Sequence, residues 1–294
     1  TKEWARENKK KWEDYWKNDE TELVHFIGKD NIVFHCIIFP SMLRAHGEYI
    51  LPKNVPANEF LNLEGEKIST SNNWAVWIHE YLEDFPDKED VMRYVLTANM
   101  PETSDSDFTW RDFQAKNNNE LVAIYGNFVN RVVVLINKYY TGKIPKPDLY
   151  TEEDEDIINS IRFIRDKISL TIENFRFRES NSEMIKIARI GNKYLADNEP
   201  WKKIKNNPER TKTILFISIQ LVSALAYLSE PFLPFTSLKL KGILRIEKQI
   251  EWKEILNSNI IESGHKINRE SFLFEKIEDV EIYGQQLKLE KTKK

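Results

Sequence analysis

One cysteine, Cys36, is all that 294 residues contain. An intrachain disulfide is excluded, as is any zinc site built from several cysteines. Cys36 sits in the apolar run IVFHCIIF, where a buried, inert thiol is expected. The five histidines lack metal-ligand spacing, so no zinc ligands and no metal site are expected in this segment. No apolar run reaches the roughly 18 to 20 residues of a membrane span, and no membrane partner is expected. A strong charge of one sign is also missing, since 43 Lys and Arg against 47 Asp and Glu leave a net charge of −4. That excludes a uniformly basic nucleic-acid binder but not a locally basic surface. The chain begins Thr-Lys-Glu-Trp, with neither an initiator methionine nor a signal peptide, and a cytoplasmic protein cut from a longer one is expected.

What is present is apolar material in quantity. Hydrophobic residues make up 41% and aromatics 12%, enough for a large core, and the length suits two domains. Residues 1–19 carry Trp4, Trp12 and Trp16 near helical spacing, which predicts a helix with one aromatic face on the domain. Residues 23–27 read as a short buried strand, broken at Gly28-Lys29-Asp30, and residues 32–46 as a helix. Strand, glycine turn and helix make the doubly wound unit, whose ligands lie at the carboxyl ends of the strands. Asp30 falls there. The pattern leaves two roles open for it: a carboxylate for ribose hydroxyls, or the N-cap of the following helix. Phe34 and His35 follow in the same helix, where a histidine among apolar residues is ordinarily a satisfied core group.

A hairpin closed at Glu64-Gly65 is expected within residues 60–68, and two amphipathic helices over residues 74–82 and 89–98. A polar connector follows, with Thr109 three residues before Asp112 marking a helix start. From Asn117 the period is helical throughout. Leu121, Tyr125, Phe128, Val132, Ile136 and Tyr139 form one stripe, and Ile157, Ile161, Ile164, Ile168, Ile172 and Phe175 another. Ser180 with Glu183 reads as a capping box opening a third helix. Residues 211–229 are apolar nearly all round and predict a buried central helix, and the charged tail after Ile282 is expected to fray.

The chemistry concentrates at Lys67-Ile68-Ser69-Thr70-Ser71, just past the glycine turn. Exposed N–H groups, hydroxyls and one long cation can grip a polyphosphate while charge builds on it. Around it stand His25-Phe26-Ile27-Gly28-Lys29-Asp30, then Phe34-His35, and downstream Gly126-Asn127-Phe128-Val129-Asn130-Arg131. In this order the chain resembles the methionyl-tRNA synthetase family of class I aminoacyl-tRNA synthetases over nearly its whole length. The pentapeptide is similar to that family's Lys-Met-Ser-Lys-Ser signature.

The resemblance implies a mainly α chain. Residues 1–115 would be the C-terminal half of a Rossmann-type α/β nucleotide-binding domain, and residues 116–294 an α-helix bundle that binds the anticodon. It implies ATP with Mg2+, L-methionine and methionine tRNA as ligands, joined through methionyl-adenylate. Lys67 would be the catalytic cation against the pyrophosphate. Asp30, Leu61, Lys67, Ser69, Thr70 and Ser71 would hold ATP, and Phe34 and His35 would wall the methionine pocket. Asn127, Arg131, Pro200 and Trp201 would read the anticodon, with Trp201 stacking on its first base.

Two departures from the family pattern stand out. Asn58-Glu59 replaces a usual His-Gly, and Thr70 replaces the second signature lysine, so Lys67 carries more of the load. The His-x-Gly-His signature and the first half of the nucleotide fold are not in this sequence, which makes a C-terminal fragment without activity of its own the expectation. The alternatives are a non-catalytic RNA-binding helical module and a purely structural bundle. A synthetase for leucine, isoleucine or valine fits the spacing from Asp30 to Phe34-His35 less well.

Overall fold

A computed structural model of the chain describes residues 1–269 and 272–293. They form two compact units: Thr1–Asn62 with Met100–Asp107, and Leu63–Asn99 with Phe108–Lys294.

The first unit opens with two short helices rather than the single one expected, α1 (Lys2–Glu7) and α2 (Glu13–Trp16). The backbone turns left-handed at Lys9 and breaks the run. Trp12 and Trp16 meet Tyr49 at ring separations of 6.3 and 6.4 Å, whereas Trp4 stays exposed. The expected buried strand is instead two half-buried pieces, β1 (Leu23–Val24) and β2 (Ile27–Gly28). Each pairs in parallel with a later strand, β1 with β3 (Pro52–Asn54) and β2 with β4 (Ala57–Asn58). Parallel pairing requires a long crossover, and a continuous helical stretch supplies it. That stretch runs from a 3-10 turn (Lys29–Asn31) through a π-helical turn (Phe34–Ile38) into α3 (Phe39–His46).

Cys36 is exposed, against expectation. So are Ile32, Val33, Phe34, Ile37, Ile38 and Met42. The run is apolar on every side, and the unit covers only one side of it.

A three-stranded sheet follows, in the order β6 (Glu66–Lys67), β5 (Leu61–Leu63), β7 (Ser106–Phe108). The β5–β6 turn has positive φ at both Glu64 (+49°) and Gly65 (+79°). Two successive left-handed residues are what a type I′ hairpin requires, and the glycine meets that need.

The second unit is helical. α4 (Ile78–Asp84) and its C-cap Phe85 set Tyr81 and Phe85 against Trp110 and Phe113, with Phe108 beside them, all buried, and α5 (Glu89–Ala98) follows. α6 (Trp110–Lys116) starts where expected, with the Thr109 hydroxyl accepting from the Asp112 amide at 3.1 Å. It continues through a π-helical stretch (Asn117–Gly126) into α7 (Asn127–Tyr140). The division expected between residues 115 and 116 therefore falls inside one continuous helix.

α8 (Glu152–Glu173) opens on a capping box of Thr151 and Asp154. In α9 (Phe177–Asn198) the expected capping box does not form, because the helix begins earlier and buries both residues. The Ser180 hydroxyl donates to the Ile168 carbonyl at 3.3 Å, and Glu183 pairs with Lys167 and Lys186. After α10 (Pro200–Asn206), α11 (Pro208–Leu228) is the buried central helix, followed by α12 (Pro234–Leu244) and a 3-10 turn (Trp252–Glu254).

By length and composition, two helices among the described residues, Trp110–Tyr140 and Pro208–Leu228, reach membrane-spanning size after all. The second is 94% buried, which its role as the core of the bundle explains.

The tail does not fray. It forms α13 (Asp279–Thr292), burying Ile282 and Leu289. Lys288 reaches Glu80 at 2.9 Å and Asp84 at 2.8 Å. Charges that read as solvated in sequence find fixed partners on α4.

Candidate functional site

In the first unit, Asp30 lies in the 3-10 turn after β2 with its side chain exposed. It is not an N-cap, since Gly28 holds that position without a side-chain bond. The Asp30 carboxylate instead lies over Gly28, where an added Cβ would come within 2.7 Å of Oδ1. Because Oδ1 ends a flexible, exposed side chain, a larger residue at position 28 would displace the Asp30 carboxylate rather than the backbone.

The neighbouring Lys29 turns the other way. It pairs with Asp105 at 2.7 Å and Glu59 at 2.5 Å, and lies 4.4 Å from the centre of the Phe60 ring. Hydrogen bonds to Asp105 and Glu59 raise its pKa, and the Lys29 bond lowers that of Asp105. Asp105 also accepts from the Phe60 amide at 2.9 Å. Glu59, one of the two departures in sequence, is therefore a partner of Lys29 and helps seat the strand that carries Leu61.

Phe34 is 57% exposed on the bare apolar face, and His35 is half-buried one residue on. His35 Nδ1 lies 3.1 Å from the Asn31 carbonyl. A carbonyl only accepts, so Nδ1 carries a proton, and in the neutral ring Nε2 is left as an acceptor. The His25 ring is 5.4 Å from that of His35. Burial, and then the His35 charge, lower the pKa of His25.

In the second unit, Lys67 ends β6 with its side chain exposed. The loop beyond it is closed rather than open. Ser69 and Trp74 exchange backbone hydrogen bonds at 2.9 and 2.8 Å, and the Asn73 amide donates to the Thr70 carbonyl at 3.1 Å. The Ser69 and Ser71 hydroxyls are 3.1 Å apart, and Thr70 and Ser71 face solvent.

The loop is braced from below. Buried Trp74 donates from Nε1 to the Leu63 carbonyl at 3.0 Å. Asn73 donates to the Thr292 carbonyl at 3.2 Å, and Lys293 reaches both Glu66 oxygens at 2.7 Å while lying 4.3 Å from the Trp74 ring centre. The end of α13 thus holds the hairpin that carries Lys67. Nothing in sequence marked this, because the two segments are more than 200 residues apart.

The third group lies wholly within the helical bundle. Asn127 and Arg131 stand one turn apart at the start of α7, Asn127 exposed and Arg131 half-buried. The Arg131 guanidinium lies 5.0 Å from the centre of the Trp201 ring, a cation–π distance. Burial lowers the Arg131 pKa from its usual value. Trp201 is half-buried in the first turn of α10, behind buried Pro200 and left-handed Glu199 (φ +41°).

A buried network stands behind that turn. Arg210 takes Asp154 with both nitrogens and donates to Asn198 Oδ1 at 3.2 Å. Tyr194 donates to Asp154 at 2.5 Å. Burial by itself pushes the Asp154 carboxyl up, but hydrogen bonds from Arg210, the Thr151 amide and Tyr194 outweigh it and hold the carboxyl below its ordinary range.

One member of this face was not singled out from sequence. Asn192 Oδ1 accepts from Asn127 Nδ2 at 3.2 Å and from Arg131 Nη1 at 3.4 Å. The available signal was Gly191 beside it. A Cβ there would lie 2.2 Å from the Phe128 ring, so only glycine lets α9 come this close to α7.

Residues 1–133 match the family model for class I tRNA synthetases (M), and residues 144–294 match that for the anticodon binding domain of methionyl tRNA ligase. The chain belongs to the methionyl-tRNA ligase family. The methionine–tRNA ligase of Flavobacterium psychrophilum is 60% identical over 294 residues, spanning 100% of this chain and 43% of that protein. That of Christiangramia forsetii is 60% identical over 299 residues, with the same coverage of 100% and 43%. The chain therefore spans about two-fifths of the length of these curated relatives.

Among solved structures, the apo form of Mycobacterium tuberculosis methionyl-tRNA synthetase superposes with a TM-score of 0.78 at 20% identity, over 88% of this chain and 50% of that one. The same enzyme in complex with methionyl-adenylate gives 0.77 at 22% identity, over 87% and 50%. At such identities the likeness carries the fold, a mainly α chain with part of a Rossmann-type domain and a helical domain.

Among the described residues, no group of three or more His, Cys, Asp or Glu is placed to hold a metal ion.

Proposed function

We propose that this chain is the portion of a methionyl-tRNA synthetase that carries the nucleotide signature loop and reads the anticodon. The whole protein would activate L-methionine with ATP as methionyl-adenylate and pass the methionyl group to methionine tRNA in the cytoplasm. The functional division would fall between residues 1–115 and 116–294.

The observation that carries this reading is the meeting of Asn127, Arg131, Asn192 and Trp201 from three helices on one face of the bundle. An aromatic ring, a guanidinium fork and amides are the groups that stack on and bond to an unstacked base. Lys202, Lys203 and Lys205 follow Trp201 directly and suit the phosphates beside it.

For the nucleotide, Asp30 would accept ribose hydroxyls and Leu61 would meet the base. Lys67 would neutralise charge developing on the phosphates, with Ser69, Thr70 and Ser71 beside it. Asp30 and Lys67 each have an exposed side chain, as each of these contacts requires. Mg2+ would travel on the phosphates, since it is commonly held by substrate oxygens and one or two carboxylates. Phe34 and His35 would line the methionine pocket, with His35 Nε2 free to accept. The bare face of Ile32, Val33, Phe34, Ile37, Ile38 and Met42 suits burial beneath the preceding half of the catalytic domain.

The test is to join this chain to its natural amino-terminal portion and assay methionine-dependent exchange of pyrophosphate into ATP, then charging of methionine tRNA. Exchange with methionine alone among amino acids is expected. No exchange, or exchange with another amino acid, would overturn the reading.

A further inference from the structure

Asn192 stands on α9, directly after the glycine that lets α9 close on α7. Its Nδ2 donates to the Ile124 carbonyl at 2.9 Å. That carbonyl has no proton to give, so the main chain alone sets which way the Asn192 amide faces. Its Oδ1 must then point toward α7, where it accepts from Asn127 Nδ2 and Arg131 Nη1. The orientation passes outward one step further. With Nδ2 drawn in toward Asn192, the Asn127 amide presents its Oδ1, an acceptor, to the outside. Arg131 is tethered at one nitrogen, with its guanidinium carbon 5.0 Å from the Trp201 ring centre, and keeps its remaining donors beside that ring.

We propose that Asn192 is a positioning residue that determines base specificity at this face. It fixes a pattern of one acceptor from Asn127 beside donors from Arg131, next to the ring on which a base stacks. Without it, the Asn127 amide is free to turn over and offer a donor or an acceptor equally, and Arg131 loses its tether. This rests on the anticodon reading above and deepens it: Asn127 and Arg131 touch the base, and Asn192 decides what they offer it. A merely structural Asn192, tying α7 to α9, would change stability and would weaken all RNAs alike.

The experiment uses the full chain and four synthetic stem-loop RNAs that differ only in the base stacked on Trp201, the first of the anticodon. A good side-chain pair to a base edge discriminates by enough to give a best-to-worst affinity ratio of about tenfold or more for the unmodified protein. Asn192→Ala is expected to bring that ratio to within about threefold of unity, because a turned-over amide serves the wrong base as well as the right one. Asn192→Leu is the near-isosteric second variant and keeps the test valid if the alanine variant melts early. Its side chain neither donates to the Ile124 carbonyl nor accepts from Asn127 and Arg131, so the ratio should again collapse.

Arg131→Ala and Trp201→Ala are run alongside and should weaken the best RNA by about tenfold or more. If they do so while both Asn192 variants keep the full ratio, the role of Asn192 is overturned and the anticodon reading stands. If neither control weakens binding, this face does not read RNA, and the anticodon reading and the inference fall together.

Discussion

Replacing Gly191 by alanine puts the packing account under direct strain. The added Cβ would lie 2.2, 2.4 and 2.6 Å from three carbons of the Phe128 ring, inside any distance that real Cβ atoms adopt. Phe128 has no exposed surface, so its ring has nowhere to swing. Alanine gains about 1 kcal/mol over glycine in a helix interior. Overpacking a core costs about 1–3 kcal/mol, and a contact this short with a rigid ring belongs at the upper end. The expected net loss is therefore about 1–2 kcal/mol. At about 2–4 °C per kcal/mol for a unit of this size, melting should fall by roughly 2–8 °C. Relieving the clash also pulls α9 off α7, which lengthens the Asn192 bonds at 3.2 and 3.4 Å and should weaken RNA binding as well. Urea unfolding and stem-loop binding measure the two effects, and Phe128→Leu combined with Gly191→Ala should restore much of both. If Gly191→Ala raised stability by about the 1 kcal/mol that helix propensity alone supplies, the close approach of α9 to α7 would be refuted.

Trp201→Ala should lower affinity for methionine tRNA about tenfold to a hundredfold. Because the ring is half-buried rather than enclosed, the accompanying loss of stability should stay below the roughly 3–5 kcal/mol of a core tryptophan; unchanged affinity with a large melting shift would mark it as a core residue. In the full-length protein, Lys67→Ala should lower the adenylation rate about a hundredfold or more with little change in the methionine KM, as for loss of a group acting on transition-state charge. Thr70→Ala should cost much less, and an unchanged rate for Lys67→Ala would remove the loop from the chemistry. Asp154 has its folded pKa held below the ordinary value, so the stability it contributes is present above about pH 4 and lost as the pH falls through the folded value. Asp154→Asn should flatten that acid limb of the unfolding free energy, and an identical limb in the variant would show that Asp154 does not cause it.

Features that depend on neighbours in sequence were legible in advance. The Glu64-Gly65 turn, the Thr109 start of α6, the bounds of α5 and the all-apolar central helix each follow from local dihedral or periodic demands. What misled were residues whose surroundings come from far along the chain. Ser180 and Glu183 have the spacing of a capping box, but their partners Ile168 and Lys167 lie on the preceding helix and draw them into its face. The tail after Ile282 looked solvated because its counter-charges, Glu80 and Asp84, are about 200 residues away. Cys36 read as buried because apolar sequence implies a cover, and sequence does not say where the cover comes from. In the bundle face, Asn127, Arg131 and Trp201 could be singled out by type and family order. Asn192 could not, because its importance lies in the direction of an amide set by the Ile124 carbonyl.

The most direct test of the anticodon claim is the affinity of the purified chain for two stem-loop RNAs of methionine tRNA, one natural and one with all three anticodon bases replaced. The geometry of Asn127, Arg131 and Trp201 predicts that the replacement weakens binding by at least tenfold at fixed salt, on the scale of about 1–3 kcal/mol for each lost base contact. Equal affinity for the two RNAs would contradict it, since binding would then rest on phosphates alone.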